Sequence, residues 1–270
     1  MSRTSSVVSL LAAGLVLAGA SAAAQDRPVP AGAPELVTDR PDFTESSEVV
    51  GRGVLQVESG LSFEDDRQEG DRARVVSAPQ LLVRVGVTPR FELRFGGDGF
   101  VSQSIRTAGG TLETSGSSDA EIGFKFKLTT APVAGFDAAI LPSLSLPTGR
   151  DGLTSGGYDP GVKFTWAREL PRGFGLSGNV NAALLTVDDR RDWEPSVSLS
   201  MGHGLVGEWS AYWETYGFFD GGSCACTFNA GVTRGFGENL QLDVEAGRGL
   251  TASASDWFVG VGFAVRRLGR

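Results

Sequence analysis

From Gly53 to the end of the chain, apolar residues alternate with polar or small ones in stretches of about ten residues separated by Gly, Pro, Asp and Asn. The stretch 121–128, for example, reads Glu-Ile-Gly-Phe-Lys-Phe-Lys-Leu. Successive side chains of a strand point to opposite faces, so each stretch predicts a strand with one apolar and one polar face. About twelve such strands are predicted, at 55–64, 72–86, 91–95, 121–128, 135–147, 162–166, 176–184, 197–202, 209–214, 227–232, 240–247 and 257–265.

Two architectures produce this alternation, a soluble β-sandwich and a transmembrane β-barrel. Sandwich strands usually have about five or six residues, whereas a tilted strand needs about 9–11 residues to cross a bilayer, and the longer class fits better here. Bacterial barrels also alternate short turns at one end with longer loops at the other. Short links are predicted at 87–89, 131–134, 170–172, 205–207 and 235–237, and long ones at 106–118, 147–157, 188–193, 221–225 and 249–255.

We therefore predict an all-β fold, a transmembrane antiparallel up-and-down β-barrel of about 12 strands whose apolar faces point outward. The sheet is expected to close, because hydrocarbon offers no partner to the backbone groups of an open edge. Trp166, Trp209 and Trp257 lie near predicted strand ends on the outward face, where indole rings suit a membrane–water boundary.

The first 24 residues have the features of an export signal. Arg3 is followed by an apolar run over 7–18, which is too short to span a bilayer as a helix, and Ala22-Ala23-Ala24 offers a small-residue cleavage site. The predicted division is a cleaved signal peptide (1–24), a periplasmic lead-in rich in Pro, Ala and Asp (25–52) and an outer-membrane β-barrel (53–270).

Composition narrows the classes of function. The 270 residues include 38 Gly, about twice the usual share of ~7%, which suits tight turns and crowded strand interiors. The formal net charge of −8 disfavours nucleic acid as a partner, and no cofactor or metal is implied by a chain with a single His. Cys224 and Cys226 are the only cysteines and lie in a predicted external loop, where a redox or metal role is one interpretation and an incidental, oxidised pair is the one we favour.

Several distinct motifs follow one another along nearly the whole mature chain. They are Thr-Asp-Arg-Pro-Asp-Phe-Thr-Glu-Ser (38–46), Gly-Val-Leu-Gln-Val-Glu-Ser-Gly (53–60), Ser-Asp-Ala-Glu-Ile-Gly-Phe-Lys (118–125), Leu-Pro-Thr-Gly (146–149), Tyr-Asp-Pro-Gly (158–161) and Asp-Trp-Phe-Val-Gly (256–260). In these motifs the chain resembles a family of Gram-negative outer-membrane proteins described as transporters and associated by name with the MetA pathway of phenol degradation. The resemblance implies an outer-membrane location and passage of small, aromatic compounds. Barrels of this kind often finish on an aromatic residue, whereas this chain ends Val-Arg-Arg-Leu-Gly-Arg (265–270).

The polar faces of the predicted strands carry charges of both signs. One interpretation is a charged pore that sets selectivity. The other, which we favour for most of these residues, is a set of ion pairs that fills a narrow lumen and braces the barrel. The candidate lumen-lining residues are Glu58, Arg84, Glu92, Arg94, Glu121, Lys125, Lys163, Glu214, Asp243 and Glu245, with Lys127 on the same face.

Asp39, Arg40 and Asp42 in the lead-in are candidates for a periplasmic plug or a docking segment. The alternative is a lead-in that ion pairs hold at the barrel mouth. An enzyme is not predicted. An outer-membrane lipid hydrolase needs a serine beside a histidine that a third polar group orients, at the rim where lipid substrate accumulates, whereas His203, with Ser200 and Ser210 nearby in sequence, lies near a predicted periplasmic turn at the opposite rim.

The sequence thus predicts a monomeric passive channel for small solutes, with aromatic solutes implied only by the resemblance. Its expected partners are outer-membrane lipids, the solute and, during biogenesis, the barrel-assembly machinery. A structural barrel with a closed lumen and, less favoured, a lipid hydrolase are the alternatives.

Overall fold

The computed structural model describes residues 36–68, 70–188 and 190–268. The predicted signal peptide (1–24) and the first part of the lead-in (25–35) lie outside the described residues. Strands dominate the described chain, and a short 3-10 turn at Pro171–Gly173 joins two of them. The strands are β1 (Val54–Gln68), β2 (Asp71–Thr88), β3 (Phe91–Gly97), β4 (Phe100–Thr107), β5 (Gly110–Ser117), β6 (Ala120–Lys127), β7 (Asp137–Leu146), β8 (Asp159–Leu170), β9 (Phe174–Val187), β10 (Arg190–Gly204), β11 (Trp209–Asp220), β12 (Ser223–Gly235), β13 (Leu240–Gly249) and β14 (Trp257–Leu268).

The strands form one antiparallel sheet that closes on itself. Each barrel strand pairs with the barrel strands that precede and follow it along the chain, and β3 pairs with β6 because β4 and β5 lie outside the barrel. The pairing of the first strand, β1, with the last, β14, closes the barrel. The result is a closed barrel of 12 strands with two further strands, β4 and β5, attached to it. The predicted fold class is therefore confirmed.

Alternation along the strands separates an apolar outside from a polar inside, as expected. On β14, Val259, Val261 and Val265 point outward with 40–50% of their surface exposed, whereas Ala264 and Arg266 point inward and are buried. Large apolar side chains are exposed in the same way all around the barrel, because the strands place them on its outer face. No helix within the described residues is long and apolar enough to cross a membrane.

Three of the predicted long links are not loops, and here the sequence-based expectation is wrong. Residues 106–118 belong largely to the β4–β5 hairpin, and the links near 188–193 and 221–225 shrink to two residues because β9 to β12 continue through them. The residues that extend the strands into these links, such as Arg190-Arg191-Asp192 and Ser223-Cys224-Ala225, are polar or small, so the alternation that revealed the other strands is absent there. The links at 147–158 and 250–256 are loops, as predicted.

Two directions along the barrel are needed below. We call the end at which β1 begins and β14 finishes the terminal end, and the opposite one the far end. β1 and β2 are long strands of 15 and 18 residues, and the far-end half of β2 pairs with β4 while its terminal-end half pairs with β3.

Candidate functional site

The interior of the barrel is a polar core. The largest fully buried side chains in the described chain are all polar or charged, and Arg84, Lys125, Gln56, Glu58 and Glu92 head the series. In soluble proteins such residues are rarely buried unless they are paired. Their partners come in large part from the lead-in.

The described part of the lead-in, 36–52, runs inside the barrel. It has no strand partner, so its backbone N–H groups need other acceptors. Three inward glutamates supply them: Glu58 on β1, Glu92 on β3 and Glu214 on β11. They accept hydrogen bonds from the backbone N–H groups of Asp39 (2.9 Å), Arg40 (3.0 Å), Phe43 (2.6 Å), Thr44 (3.0 Å) and Val50 (2.7 Å).

Asp39 is the centre of the charge network. Its carboxylate lies 3.2 Å from Arg84, 2.6 Å from Arg94 and 2.8 Å from Lys125, and only 1% of its side chain is exposed. Burial alone would raise the pKa of Asp39, but the charges of these three cations outweigh it and hold the pKa well below the ordinary value of 3.8. Asp39 therefore remains ionised inside the barrel.

Two further lead-in carboxylates extend the network along the wall. Glu45 pairs with Arg94 at 2.6 Å and with Lys163, and Glu48 pairs with Lys127. Burial opposes ionisation of Glu45, yet Arg94 and Lys163 lower its pKa to about 2. Sequence reasoning missed Glu45 and Glu48, although their place in an acidic segment that precedes a cation-lined barrel was an available signal.

Arg40 crosses to another part of the wall. Its guanidinium lies 3.3 Å from Asp243 and also donates to Gln80. Gly60 and Gly262 face each other across β1 and β14 beneath this side chain, and a methyl group built on Gly262 would lie 2.6 Å from Nε of Arg40. These glycines leave the space that the guanidinium occupies.

The remaining predicted residues take less central positions. The Asp42 carboxylate accepts a hydrogen bond from Ser200 at 3.3 Å, and burial together with Glu214 raises the pKa of Asp42 well above 3.8. Glu245 accepts from Tyr212 and Asn229 at 3.3 and 3.2 Å. Glu121 lies on the inward face of β6 but is exposed, further toward the far end than Lys125.

An aromatic cluster inside the lumen was not expected from the sequence. The ring of Phe43, in the lead-in, stacks on Tyr216 with centroids 4.5 Å apart and meets the edge of Phe218 at 5.3 Å. All three side chains are half-buried. Tyr216 and Phe218 point inward from β11, on the far-end side of Glu214. The inward parity of Tyr216 and Phe218 was the signal that could have revealed them.

The two sites considered for other chemistry lie outside this network. Cys224 and Cys226 form a disulfide within β12 on the outward face, so their placement in an external loop was wrong. His203 stacks on Phe174 at 4.2 Å, and its Nδ1 lies 3.0 Å from the carbonyl oxygen of Gly173. In the described part of the chain, no group of three or more His, Cys, Asp or Glu is arranged to hold a metal ion.

Comparison with known proteins identifies the family. Residues 38–267 match the family model described as "Putative MetA-pathway of phenol degradation". The chain belongs to this family. No curated protein matches the sequence.

Solved structures show where the same fold occurs. An outer-membrane channel from Pseudomonas putida F1 is 14% identical and superposes with a TM-score of 0.62, covering 82% of this chain and 98% of that one. The KdgM porin in complex with a disordered oligogalacturonate is 11% identical with a TM-score of 0.51, covering 78% of this chain and 98% of that one. This family member thus has the fold seen in outer-membrane channels and porins.

Proposed function

We propose that this family member is a passive outer-membrane channel for small solutes, and that its lead-in determines how wide the path is. The observation that carries the proposal is the lead-in itself, which runs through the lumen and is bound by charged side chains of the surrounding wall. A solute that crosses the barrel must pass this segment.

The outer surface supports a membrane location. Exposed large apolar residues are spread over the outward faces of nearly all the barrel strands, and burying such a surface in lipid removes it from water. Closure between β1 and β14 leaves no unpaired barrel edge, as a span through hydrocarbon requires. Export across the inner membrane, by the signal peptide predicted at 1–24, is part of the proposal.

For the solute we propose small aromatic compounds. The family description refers to phenol degradation, and the cluster of Phe43, Tyr216 and Phe218 offers half-exposed ring faces inside the lumen. Aromatic rings stack favourably in offset or edge-to-face geometry, each such pair contributing about 0.5–1.5 kcal/mol beyond burial of area. This is weak enough to allow a solute to leave again.

A disulfide that locks the lead-in tests the proposal. The Thr44 hydroxyl donates to that of Ser198 on β10 at 2.7 Å, so cysteines at the two positions lie close enough to be joined. In planar bilayers we expect single-channel steps from the wild type, reduced conductance from oxidised Thr44→Cys/Ser198→Cys, and recovery with a reductant. Thr44→Cys alone is the control and should not respond to oxidation. Equal conductance in the locked and reduced forms would show that the lead-in does not control the path.

A structural barrel with a closed lumen is the second candidate. The ion pairs of Asp39 favour it, because a network this well satisfied also resists displacement. Absence of single-channel steps, both from the wild type and from a variant lacking residues 36–50, would decide for this candidate. Uptake of labelled phenol into vesicles that hold the protein, compared with its uptake into protein-free vesicles, gives an independent measurement.

A further inference from the structure

The outer face of the barrel carries a row of arginines at the far end. Arg67 on β1 lies directly opposite Arg72 on β2, and Arg72 lies directly opposite Arg106 on β4. Like charges placed directly opposite each other in a sheet destabilise it. Negative charge near the row is therefore needed to offset this repulsion.

The carboxylates on this face supply only part of that charge. Asp65, two residues closer to the terminal end, accepts from Nε of Arg72 at 2.9 Å, of Arg74 at 3.1 Å and of Arg67 at 3.3 Å. One buried carboxylate thus serves three guanidiniums. Glu113 on β5 lies opposite Ser104, and among the described residues Arg106 forms no ion pair. The side chains of Arg67 and Arg74 remain 60% and 50% exposed, so their free N–H groups face outward.

The height of the row on the barrel points to the partner. Asp65 is level with Trp257, whose ring packs on Phe63 at 5.3 Å. Below these rings the outer face becomes apolar, through Val76, Val259 and Leu61. Two residues of a strand span about 7 Å. The row therefore lies one step beyond the aromatic boundary of the apolar surface, at the height where lipid headgroups sit.

We infer that Arg67, Arg72 and Arg106 bind the phosphate of a phosphorylated lipid headgroup. A phosphate offers several acceptor oxygens to guanidinium forks and would neutralise the like charges of the row. The inference rests on the proposed membrane location, but it is independent of whether the barrel conducts.

Native mass spectrometry of the detergent-solubilised protein, with lipid A as the probe, tests this inference. We expect the wild type to retain lipid A, and Arg72→Gln/Arg106→Gln to bind it at least tenfold more weakly. Arg234→Gln is the matched control, because Arg234 is an outward arginine at the terminal end, over the ring of Trp209. Its binding of lipid A should equal that of the wild type. Heat-modifiable migration on gels verifies that each variant is folded.

Two further binding measurements test whether the phosphate of the lipid is the group recognised. Dephosphorylated lipid A should bind as weakly to the wild type as lipid A binds to the double variant, and millimolar inorganic phosphate should not displace lipid A. Unchanged binding by the double variant or by the dephosphorylated lipid would overturn the inference. If the folded protein also remained in the aqueous fraction without detergent, the proposed function would fail with it, whereas conductance without lipid selectivity would overturn the inference alone.

Discussion

Asp39 and Asp42 belong to the same short segment, yet their carboxylates have different surroundings inside the barrel. Asp39 has three cations around it, whereas Asp42 lies near Glu214 and accepts from a serine hydroxyl. Removing one partner of a buried ion pair leaves the others uncompensated and costs about 3–5 kcal/mol. The two residues therefore form a matched pair for mutation.

We predict that Asp39→Asn lowers the free energy of unfolding in phospholipid vesicles by about 3–5 kcal/mol at pH 7. Because the folded-state pKa of Asp39 is lowered, the wild type keeps this stabilisation above pH 3.8 and loses it as the pH falls through the folded-state pKa. The difference between wild type and variant should therefore shrink only in that acidic range. Urea titrations across pH measure it.

Asp42→Asn should behave in the opposite way. The raised pKa of Asp42 means that its charge costs stability at pH 7, so the neutral amide should leave the protein as stable as the wild type or more so. Any gain should vanish below pH 3.8, where the wild-type carboxyl is also protonated. Equal losses from Asp39→Asn and Asp42→Asn would contradict the described network.

Replacing a glycine tests how closely the side chain of Arg40 packs against β14. In Gly262→Ala the new methyl group would meet both Arg40 and the carbonyl oxygen of Ser59 at 2.6 Å, so we predict a loss of about 1–3 kcal/mol. Gly175→Ala is the control, since no atom lies within 4 Å of the corresponding position. The urea assay applies here as well, and similar effects of the two substitutions would argue against a tight seat for Arg40.

At the scale of elements, the β4–β5 hairpin is an addition to a barrel that closes without it. β3 pairs directly with β6, and Ser118 N–H donates to the carbonyl of Gly99 at 2.8 Å across the base of the hairpin. The hairpin also contacts the loop after β7, where Arg150 N–H donates to Ser117 at 2.9 Å. The hairpin thus supports this loop.

We predict that replacing residues 100–117 with Gly-Gly leaves a folded, heat-modifiable barrel. The loop at 147–158 should become more sensitive to protease, because it loses the backbone contact with Ser117. Limited proteolysis followed by mass spectrometry locates the cuts. Loss of the folded band on gels would show instead that the hairpin is needed for closure.

The alternation along the sequence predicted the elements only where one face is apolar. It identified β6, for example, because Ile122, Phe124 and Phe126 point outward from a strand whose other face is polar or small. It missed β4, where Ser104 and Arg106 point outward beyond the apolar surface. Strands that leave the apolar zone lose the signal, because both their faces are then polar.

The same limit applies to the candidate site. Strand parity was enough to assign Glu58, Arg84 and Lys125 to the inside, where the structure places them buried. Their partners could not be deduced, because Asp39 meets Lys125 across 86 positions of sequence and no local pattern encodes that contact. The aromatic cluster was missed because Tyr216 and Phe218 lie beyond the strand predicted at 209–214, whereas β11 continues to Asp220.

At the scale of the whole molecule, a lysine on the outer face of the barrel should cost more stability than a lysine on the inner wall. Val261 lies midway along β14, between Leu61 and Val244, with half of its surface exposed. We predict that Val261→Lys costs about 2–4 kcal/mol in a bilayer, as lysines on the lipid face near the midplane do. Folding in vesicles of defined thickness measures this cost.

The matched control is a lysine on the inner wall. Ser145 faces the lumen opposite Glu121 and Asp159, so Ser145→Lys should have little effect on stability. If the two lysines cost the same, the division into a lipid face and a polar lumen would be wrong. A large cost at position 145 alone would contradict it more strongly still.

The path of the lead-in also has a consequence for biogenesis. Its side chains meet residues made much later, such as Glu214, 170 positions after Thr44, and Asp243, 203 positions after Arg40. The segment therefore cannot make all of its contacts until β11 and β13 have joined the sheet. A chain truncated before β11 would keep the partners of Asp39 on β2, β3 and β6, but it would leave Thr44 without Glu214 and Arg40 without Asp243.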